Sequence, residues 1–213
     1  MLLLCTAVEA EAKAVASLAG IHVIVSGVGR VNAAVAVTQA ILELGVDAVD
    51  AVLNIGVAGM LPGSGLVIGD VVFGNPSIYM EEGIETPEGF QDTRSMGFPL
   101  GDFNGNAIAP TERLAKAVEP HLTGVCLATV ATCSGTDAAA AAVVARTGAG
   151  AEAMEGAAVL HAACRLGVPA IEIRAISNTT GNRAMQQWDL PAALASLQAE
   201  LPAALSALSN GAC

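Results

Sequence analysis

The stretch 152–181 constrains the fold of this chain more than any other part of the sequence. An alanine-rich helical pattern starts after Glu155 and ends at Gly167, and the β-branched run 170–176 then predicts a buried strand. The chain turns polar directly after that strand, at Ser177 and Asn178. Because such a strand delivers side chains to the carboxyl edge of a sheet, we expect Glu155 and Asn178 to lie near one cleft.

Apolar runs alternate with alanine-rich helical patterns along the rest of the chain. This alternation predicts an α/β fold: one domain over residues 1–213, with three αβα layers around a central mixed, twisted sheet. We predict strands at 2–8, 21–26, 51–55, 67–73, 124–131, 149–153 and 170–176. We predict helices at 9–18, 31–44, 110–118, 138–146, 156–163 and 191–208.

Charge and cysteine content exclude several classes of protein. Asp and Glu number 20 against 9 for Lys and Arg, and the net charge of -11 repels both nucleic acids and anionic membranes. Acids or glycines interrupt every apolar run before it could span a bilayer, and the first residues lack the basic flank of a secretory signal. The 5 cysteines never show CxxC spacing, which favours reduced thiols in a cytoplasm over disulfides or a zinc site.

Residues 75–106, here called the acidic aromatic segment, differ from the rest of the chain. They carry four of its six aromatic residues together with many acids, and no regular pattern is evident. Long irregular segments in compact domains are usually functional or mobile. We therefore predict a lid, or a segment exchanged with a partner subunit. Arg94 is its one basic residue.

The residues suggest a chemistry based on carboxylates and an amide. The sequence shows no serine or cysteine nucleophile motif, and its histidines lack metal-ligand spacing. Glu11, Glu155 and Asn178 each fall where a strand or a loop ends. Carboxylates without a metal suit cleavage of a glycosidic bond, in which one activates water and another binds sugar hydroxyls. The start of a helix favours the carboxylate form of Glu155.

Small residues follow the third predicted strand, at Gly56-Val57-Ala58-Gly59. Ala58 and Gly59 would allow a flat ligand to lie close to the backbone. A plain tight turn is the alternative interpretation of the same residues.

Taken in order, these motifs resemble the purine nucleoside phosphorylase and nucleosidase superfamily. The likeness is close to the methylthioadenosine/S-adenosylhomocysteine nucleosidases and greatest to the futalosine hydrolases. It rests on AVEAE (7–11), SGVGR (26–30), NIGVAG (54–59), IGD (68–70), EAME (152–155) and RAISN (174–178), and for futalosine hydrolases on EEGIETPEGF (81–90) and Ser177-Asn178.

The resemblance implies a nucleoside phosphorylase-like fold and a role for each site residue. Glu11 resembles the base that activates water, and Met154 and Glu155 resemble the pair that contacts the ribose. Asn178 stands where adenine-specific nucleosidases carry an aspartate. An amide can donate to a 6-oxo group and accept from the ring N–H beside it, as hypoxanthine requires. Ser177, Ala58 and Gly59 would line the base, and Arg94 is our candidate for the tail carboxylate of futalosine.

We therefore expect a cytoplasmic N-ribosyl hydrolase that needs neither metal nor cofactor, acts on a nucleoside and water, and forms a homodimer or higher homo-oligomer. Glu9 and Glu11 at the first junction would repel phosphate, and Arg30 is the one basic residue in the motifs that precede RAISN. Three alternatives stay open. They are a methylthioadenosine-type or aminodeoxyfutalosine nucleosidase, a purine nucleoside phosphorylase, and a non-catalytic nucleoside-binding relative.

Overall fold

The structure is a computed structural model that describes residues 1–16 and 20–210, with side chains to residue 208. Its strands are β1 (Leu2–Thr6), β2 (Ile21–Val25), β3 (Ala51–Met60), β4 (Val71–Tyr79), β5 (Gly83–Thr86), β6 (Gly89–Asp92), β7 (Ala107–Ile108), β8 (Thr123–Thr129), β9 (Ala151–Ala153) and β10 (Ala170–Thr179). Its helices are α1 (Glu9–Val15), α2 (Arg30–Leu44), α3 (Glu112–Val118), α4 (Asp137–Thr147), α5 (Gly156–Arg165) and α6 (Leu190–Asn210), with a short 3-10 turn at Val46–Ala48.

The central sheet is mixed, as the sequence predicts. Strands β1, β2, β3 and β10 run parallel through their mutual pairings, whereas β9 is antiparallel to β3 and β4 is antiparallel to β10. Strand β8 is parallel to both β4 and β9. These pairings close β3, β10, β4, β8 and β9 into a ring, and β1 and β2 extend the sheet from β3. The ring brings the ends of β3, β9 and β10 together.

Helices cover both faces of this sheet, which confirms the three-layer prediction. Helices α1, α3 and α6 pack together on one face, and α2 packs with α5 on the other. Small aliphatic side chains dominate the core on each face, as expected for a chain with only 3% aromatic residues. No helix among the described residues is both long and apolar enough to cross a bilayer.

Two of the strands that end at the polar motifs, β3 and β10, extend further than the sequence predicts. β10 runs on through Ser177 and Asn178, which we had predicted to be a loop, and β3 includes the small residues 56–59. The backbone explains both differences, because Asn178 pairs with Gly59 and Thr179 pairs with Met60 after a bulge in β10. The polar side chains therefore stand on paired backbone, which holds them more firmly than a loop would.

Two other predictions need correction. Residues 67–70 form a turn instead of the start of a strand, because Gly69 has a φ of 98° and the Asp70 carboxylate accepts the Val67 N–H at 2.9 Å. The acidic aromatic segment is not wholly irregular, since it contains the end of β4 and the β5–β6 hairpin. The predicted end of the first helix, residue 18, lies outside the described residues.

Candidate active site

A cavity of about 550 Å³ opens at the edge where β1, β3, β9 and β10 end. It contains every site residue predicted from the sequence except Arg94. Its lining comprises Ala7, Val8, Glu11, Val28, Val57, Ala58, Gly59, Cys133, Ser134, Gly135, Glu152, Ala153, Met154, Glu155, Arg174, Ser177, Asn178, Arg183, Gln186 and Trp188.

Strand β3 sets the length of the cavity. A side chain at Gly56 would clash with Arg174 and Glu11, whereas one at Gly59 would lie 2.9 Å from Asn178. The three residue steps between these glycines span about 10 Å of strand. We call the part around Glu11, Glu155 and Arg174 the arginine end, and the part around Ser134, Glu152, Ser177 and Asn178 the serine end.

Glu11 is held by backbone amides at the arginine end. Its Oε2 accepts the N–H groups of Ala7 at 2.9 Å and Val8 at 3.2 Å, and its Oε1 accepts that of Val57 at 2.9 Å. The residue is only 4% exposed, yet it lines the cavity. A carboxylate offers about four acceptor positions, so three amide bonds leave room for one water molecule.

Glu155 lies across the arginine end at the start of α5. Its Oε1 accepts the Gly29 N–H at 2.9 Å, and its Oε2 lies 3.3 Å from both the Met154 N–H and Arg174 Nη2. Gly29 adopts a φ of 100°, a conformation that favours glycine and lets its amide point at the carboxylate. Glu155 is thus fixed from two sides before any ligand arrives.

Arg174 is the fully buried cation that joins these groups. Its Nε donates to Glu172 Oε1 at 2.8 Å, its Nη2 also bonds Asn54 Oδ1, and its Nη1 lies 3.5 Å from the carbonyl of Val57. Burial alone would lower the pKa of Arg174, but the carboxylates of Glu172, Glu155 and Glu11 raise it well above its usual value. The guanidinium therefore stays charged and stabilises the surrounding acids.

A second row of residues supports Arg174. The carboxylate of Glu172 is completely buried, and its Oε2 accepts the Ser77 hydroxyl at 2.5 Å. Gly156 makes room for it, because a side chain at that position would collide with both Glu172 oxygens. Neither Arg174 nor Glu172 was predicted as a site residue. A charged pair two residues apart within the apolar run 170–176 was the available signal, since unpaired charges are rarely buried.

Asn178 and Ser177 form one side of the serine end. The Ser177 hydroxyl donates to Asn178 Oδ1 at 2.8 Å, and Asn178 Nδ2 donates to the carbonyl of Thr179 at 2.9 Å. An asparagine amide has two N–H donors and an oxygen with two lone pairs. One N–H and one lone pair are used in these bonds, so one of each stays available for a ligand. The amide thus presents a donor next to an acceptor.

Glu152 and Ser134 form the opposite side of the serine end. Glu152 Oε1 accepts the Ser134 N–H at 2.7 Å, and Oε2 accepts its hydroxyl at 2.6 Å. Burial raises the pKa of Glu152, the two Ser134 bonds lower it in part, and the carboxylate of Glu81 raises it further. Burial also raises the pKa of the neighbouring Cys133 thiol. Neither Glu152 nor Ser134 was a predicted site residue, although the polar run 132–137 after a strand was visible.

The remaining predicted residues fall in two places. Met154, Ala58 and Gly59 line the cavity. Arg94 does not, because its Nη1 donates to the carbonyl of Phe103 at 2.7 Å on the surface. Among the described residues that line the cavity, the second cation is Arg183, whose guanidinium lies 4.9 Å from the ring of Trp188.

None of the described histidines lines the cavity. His161 lies outside the cavity lining, packs edge-on against Phe103 at 5.2 Å, and has a pKa lowered by burial. In the described part of the chain, no three His, Cys, Asp or Glu side chains are grouped as a metal ion would require.

Sequence comparison identifies relatives over nearly the whole chain. The profile of the phosphorylase superfamily matches residues 7–209. Futalosine hydrolase of Streptomyces coelicolor is 34% identical over 185 residues, which cover 84% of this chain and 75% of that protein. Futalosine hydrolase of Thermus thermophilus is 34% identical over 184 residues, which cover 81% and 75% respectively.

Solved structures agree on the fold. A methylthioadenosine/S-adenosylhomocysteine nucleosidase from Neisseria meningitidis, in complex with methylthio-immucillin-A, superposes with a TM-score of 0.78 at 22% identity, covering 96% of this chain and 97% of that one. Futalosine hydrolase of Helicobacter pylori gives 0.73 at 21% identity, covering 99% and 96%. With a mixed αβα sheet, a matching profile and relatives above 30% identity, this chain belongs to the phosphorylase superfamily and, within it, to the futalosine hydrolase family.

Proposed function

We propose that this chain hydrolyses the N-glycosidic bond of futalosine, releasing hypoxanthine and dehypoxanthine futalosine, as one catalytic domain acting in the cytoplasm. In this reaction Glu11 removes a proton from the attacking water while Glu155 binds the ribose hydroxyls. Met154 packs against the sugar, and Asn178 contacts the base. The four cysteines that the structure describes carry free thiols, which supports a reducing compartment.

The main support for this proposal is the arrangement of carboxylates at the arginine end. Two cavity-facing carboxylates, Glu11 and Glu155, surround the position where a sugar would become cationic, and negative charge stabilises such a transition state. Arg174 is buried and its Nε and Nη2 donors are taken by Glu172, Asn54 and Glu155, so it has no adjacent pair of free N–H groups for a phosphate.

The other basic residue of the motifs is also occupied. Arg30 lies 3.1 Å from a Glu81 oxygen and 3.0 Å from a Glu82 oxygen, and it is not part of the cavity lining. With neither arginine free, water is favoured over phosphate as the nucleophile. This argues for hydrolysis and against phosphorolysis.

The serine end supports a 6-oxo purine. The free N–H of Asn178 matches the oxo oxygen of hypoxanthine, and its free lone pair matches the ring N–H next to it. A 6-amino purine would place two donors against each other and leave both unpaired.

The tail carboxylate of futalosine has a better partner than Arg94. Arg183 is exposed at the rim of the cavity, and both its Nη1 and the indole N–H of Trp188 donate to Gln186 Oε1, at 2.8 and 3.0 Å. The indole ring offers an aromatic surface, and the guanidinium can form a forked pair with a carboxylate. We propose that Arg183 and Trp188 receive the aryl carboxylate.

A second copy of the chain would cover an exposed apolar face of α2. Val31 is 76% exposed, and Val35 and Leu42 are each 60% exposed. A depression of about 600 Å³ lies along the same face. Val28, which lines the active cavity, lies two residues before the start of this helix, so a homodimer formed here would border the site. Sedimentation of wild type and of Val35→Glu tests this, and an unchanged mass would contradict it.

A base-release assay tests the catalytic proposal. Purified protein is incubated with futalosine, aminodeoxyfutalosine or methylthioadenosine, each with and without phosphate. We expect hypoxanthine release from futalosine at the same rate in both buffers, and slower release of adenine from the two 6-amino nucleosides. Phosphate-dependent release with ribosyl phosphate as product would identify a phosphorylase. Binding without any release of base would identify a non-catalytic relative.

A further inference from the structure

Glu152 is a third carboxyl group in the cavity, and no step described above uses it. It is 4% exposed, lies on the three-residue strand β9, and lines the cavity together with Ser134. Its two oxygens are fixed by the amide and the hydroxyl of that one serine, at 2.7 and 2.6 Å. The side chain is therefore held in one orientation at the serine end.

The register of the sheet places Glu152 opposite Asn178. Gly59 of β3 pairs with Glu152 on one side and with Asn178 on the other. Residues directly paired across strands point to the same face of a sheet, so the two polar side chains flank a glycine that has none. All three residues line the cavity. A side chain at Gly59 would lie 2.9 Å from both Asn178 Nδ2 and Thr180 Cγ2, so the glycine keeps this part of the cavity open beside the amide.

Several groups around Glu152 act on its pKa. Burial raises its pKa, and the facing carboxylate of Glu81 acts in the same direction against the two Ser134 bonds. The strands on either side contribute Gly59 and Ala128, which carry no charge, and the adjacent Cys133 thiol also has a raised pKa. No arginine contact to Glu152 occurs among the described residues, in contrast to Glu155 and Glu172.

The proposed reaction needs an acid on the base. When the glycosidic bond breaks, its electron pair moves onto the purine, and protonation at N7 makes the purine a better leaving group. Asn178 has no acidic proton to give, and its free donor and acceptor match the O6 and N1–H edge. N7 lies on the other side of O6, so it requires a separate donor.

We infer that Glu152 is the general acid that protonates N7 of the departing hypoxanthine. This inference rests on the proposed function. The Glu152 proton passes to N7 as the C1′–N9 bond breaks, and the pair of electrons from that bond stays on the purine. Water adds to C1′ and gives its proton to Glu11. Exchange of one proton with solvent then restores both carboxyl groups, so that one water is consumed for each hypoxanthine released.

A purely structural role is the competing explanation. Glu152 binds both the amide and the hydroxyl of Ser134, so it could serve only to hold the loop at residues 133–135 in place. The two roles make different predictions for the leaving group, for pH and for Ser134. Loop support would affect all substrates alike, whereas an acid matters only when the leaving group needs a proton.

Glu152→Gln is the test, with futalosine and para-nitrophenyl riboside as substrates. The nitrophenolate departs without protonation. We expect kcat on futalosine to fall roughly 100- to 10,000-fold, the usual loss for an acid or base, while the aryl riboside rate changes less than about threefold. For wild type, kcat/KM on futalosine should fall as pH rises through the Glu152 pKa, and this decline should be absent from the variant. The exposed Glu119→Gln is the matched control.

Two further variants keep the inference falsifiable. Glu152→Asp retains an acidic proton and should keep both partial activity and the decline at higher pH. Ser134→Ala removes one bond to the carboxyl group and should lose less than about tenfold on futalosine. Equal losses on the two substrates in Glu152→Gln, or similar losses in Glu152→Gln and Ser134→Ala, would overturn the acid role. If the wild-type protein releases no base from futalosine, the proposed function itself is wrong, and this result is distinct from a failure of the acid role alone.

Discussion

The arginine end and the serine end of the cavity contain similar residues in opposite electrostatic settings. Glu11 and Glu155 are fixed by backbone amides and share the buried charge of Arg174. Glu152 is fixed by a neutral serine, and its pKa is raised by burial. Among the described residues that line the cavity, Glu155 contacts Arg174 and Glu11 interacts electrostatically with the same guanidinium, whereas no arginine contacts the buried Glu152.

This difference matches the charges that develop when a glycosidic bond breaks. The sugar becomes cationic and is stabilised by carboxylates, while the base becomes anionic and is stabilised by donors and acids. An arginine in contact with Glu152 would lower its pKa and so oppose the effect of burial. The position of Arg174 thus distinguishes the two ends of the cavity, which lie about 10 Å apart along β3. The end with the arginine suits the sugar, and the end without it suits the base.

The largest effect is expected at the arginine end, in Glu11→Gln. An amide cannot take a proton from water, so kcat for hypoxanthine release should fall roughly 100- to 10,000-fold. The same amide would also direct N–H groups at one of the backbone donors that now bind Glu11. Binding of free hypoxanthine, measured by calorimetry, should persist because the serine end is untouched.

The exposed Glu9→Gln, on the same helix, is the control and should retain wild-type turnover. If Glu11→Gln also retains it, Glu11 is only an acid at the start of a helix. The arginine end would then lack the general base that the proposed reaction requires.

Glu155→Gln should produce the next largest effect, roughly 100- to 1,000-fold in kcat/KM, because ribose hydroxyls bind a carboxylate most strongly as the ring becomes cationic. The measurement pairs this variant with a 2′,3′-dideoxy substrate. Wild type should act poorly on that substrate, and the variant should lose little more. Losses that simply add up would rule out direct contact between Glu155 and the hydroxyls.

Asn178→Asp probes the serine end with a smaller change. An aspartate accepts from an exocyclic amine but repels the oxo oxygen, and each unpaired group in a dry pocket costs about 1–3 kcal/mol. The ratio of kcat/KM for futalosine to that for its 6-amino analogue should therefore fall roughly 5- to 150-fold. Asn104→Asp, on the surface, should leave the ratio unchanged. A ratio that does not move toward the amine would show that Asn178 does not read the base.

The sequence predicted the arginine end incompletely for a physical reason. Glu11 and Glu155 were visible because each lies where a helical pattern begins. Arg174 was hidden inside an apolar run, and its importance depends on Glu172, Asn54 and Glu155, of which only Glu172 is nearby in the sequence. The alternation of strands and helices fixed the fold class, because hydrophobic periodicity is a local property.

Features that depend on pairing across the sheet could not be predicted. The ring of five strands and the placement of Glu152 and Asn178 on either side of Gly59 both follow from strand register, which a single sequence does not specify. Asn178 was expected in a loop but stands on a paired strand. Glu152 belongs to the EAME motif, but its place opposite Asn178 depends on the pairing of β9 with β3.

The smallest effect is expected at the rim, where Arg183 and Arg94 can be compared directly. Both are exposed arginines, but only Arg183 lines the cavity and lies over Trp188. An exposed charge pair is weakened by water and salt, so we expect Arg183→Ala to raise KM for futalosine about tenfold, equivalent to 1.4 kcal/mol. Inosine has no carboxylate tail, and its KM should barely change. Arg94→Ala should affect neither substrate.

Equal losses on futalosine and inosine in Arg183→Ala would mean that the residue supports the rim and does not bind the tail. A loss confined to futalosine in Arg94→Ala would show that Arg94, in the acidic aromatic segment, binds the tail carboxylate.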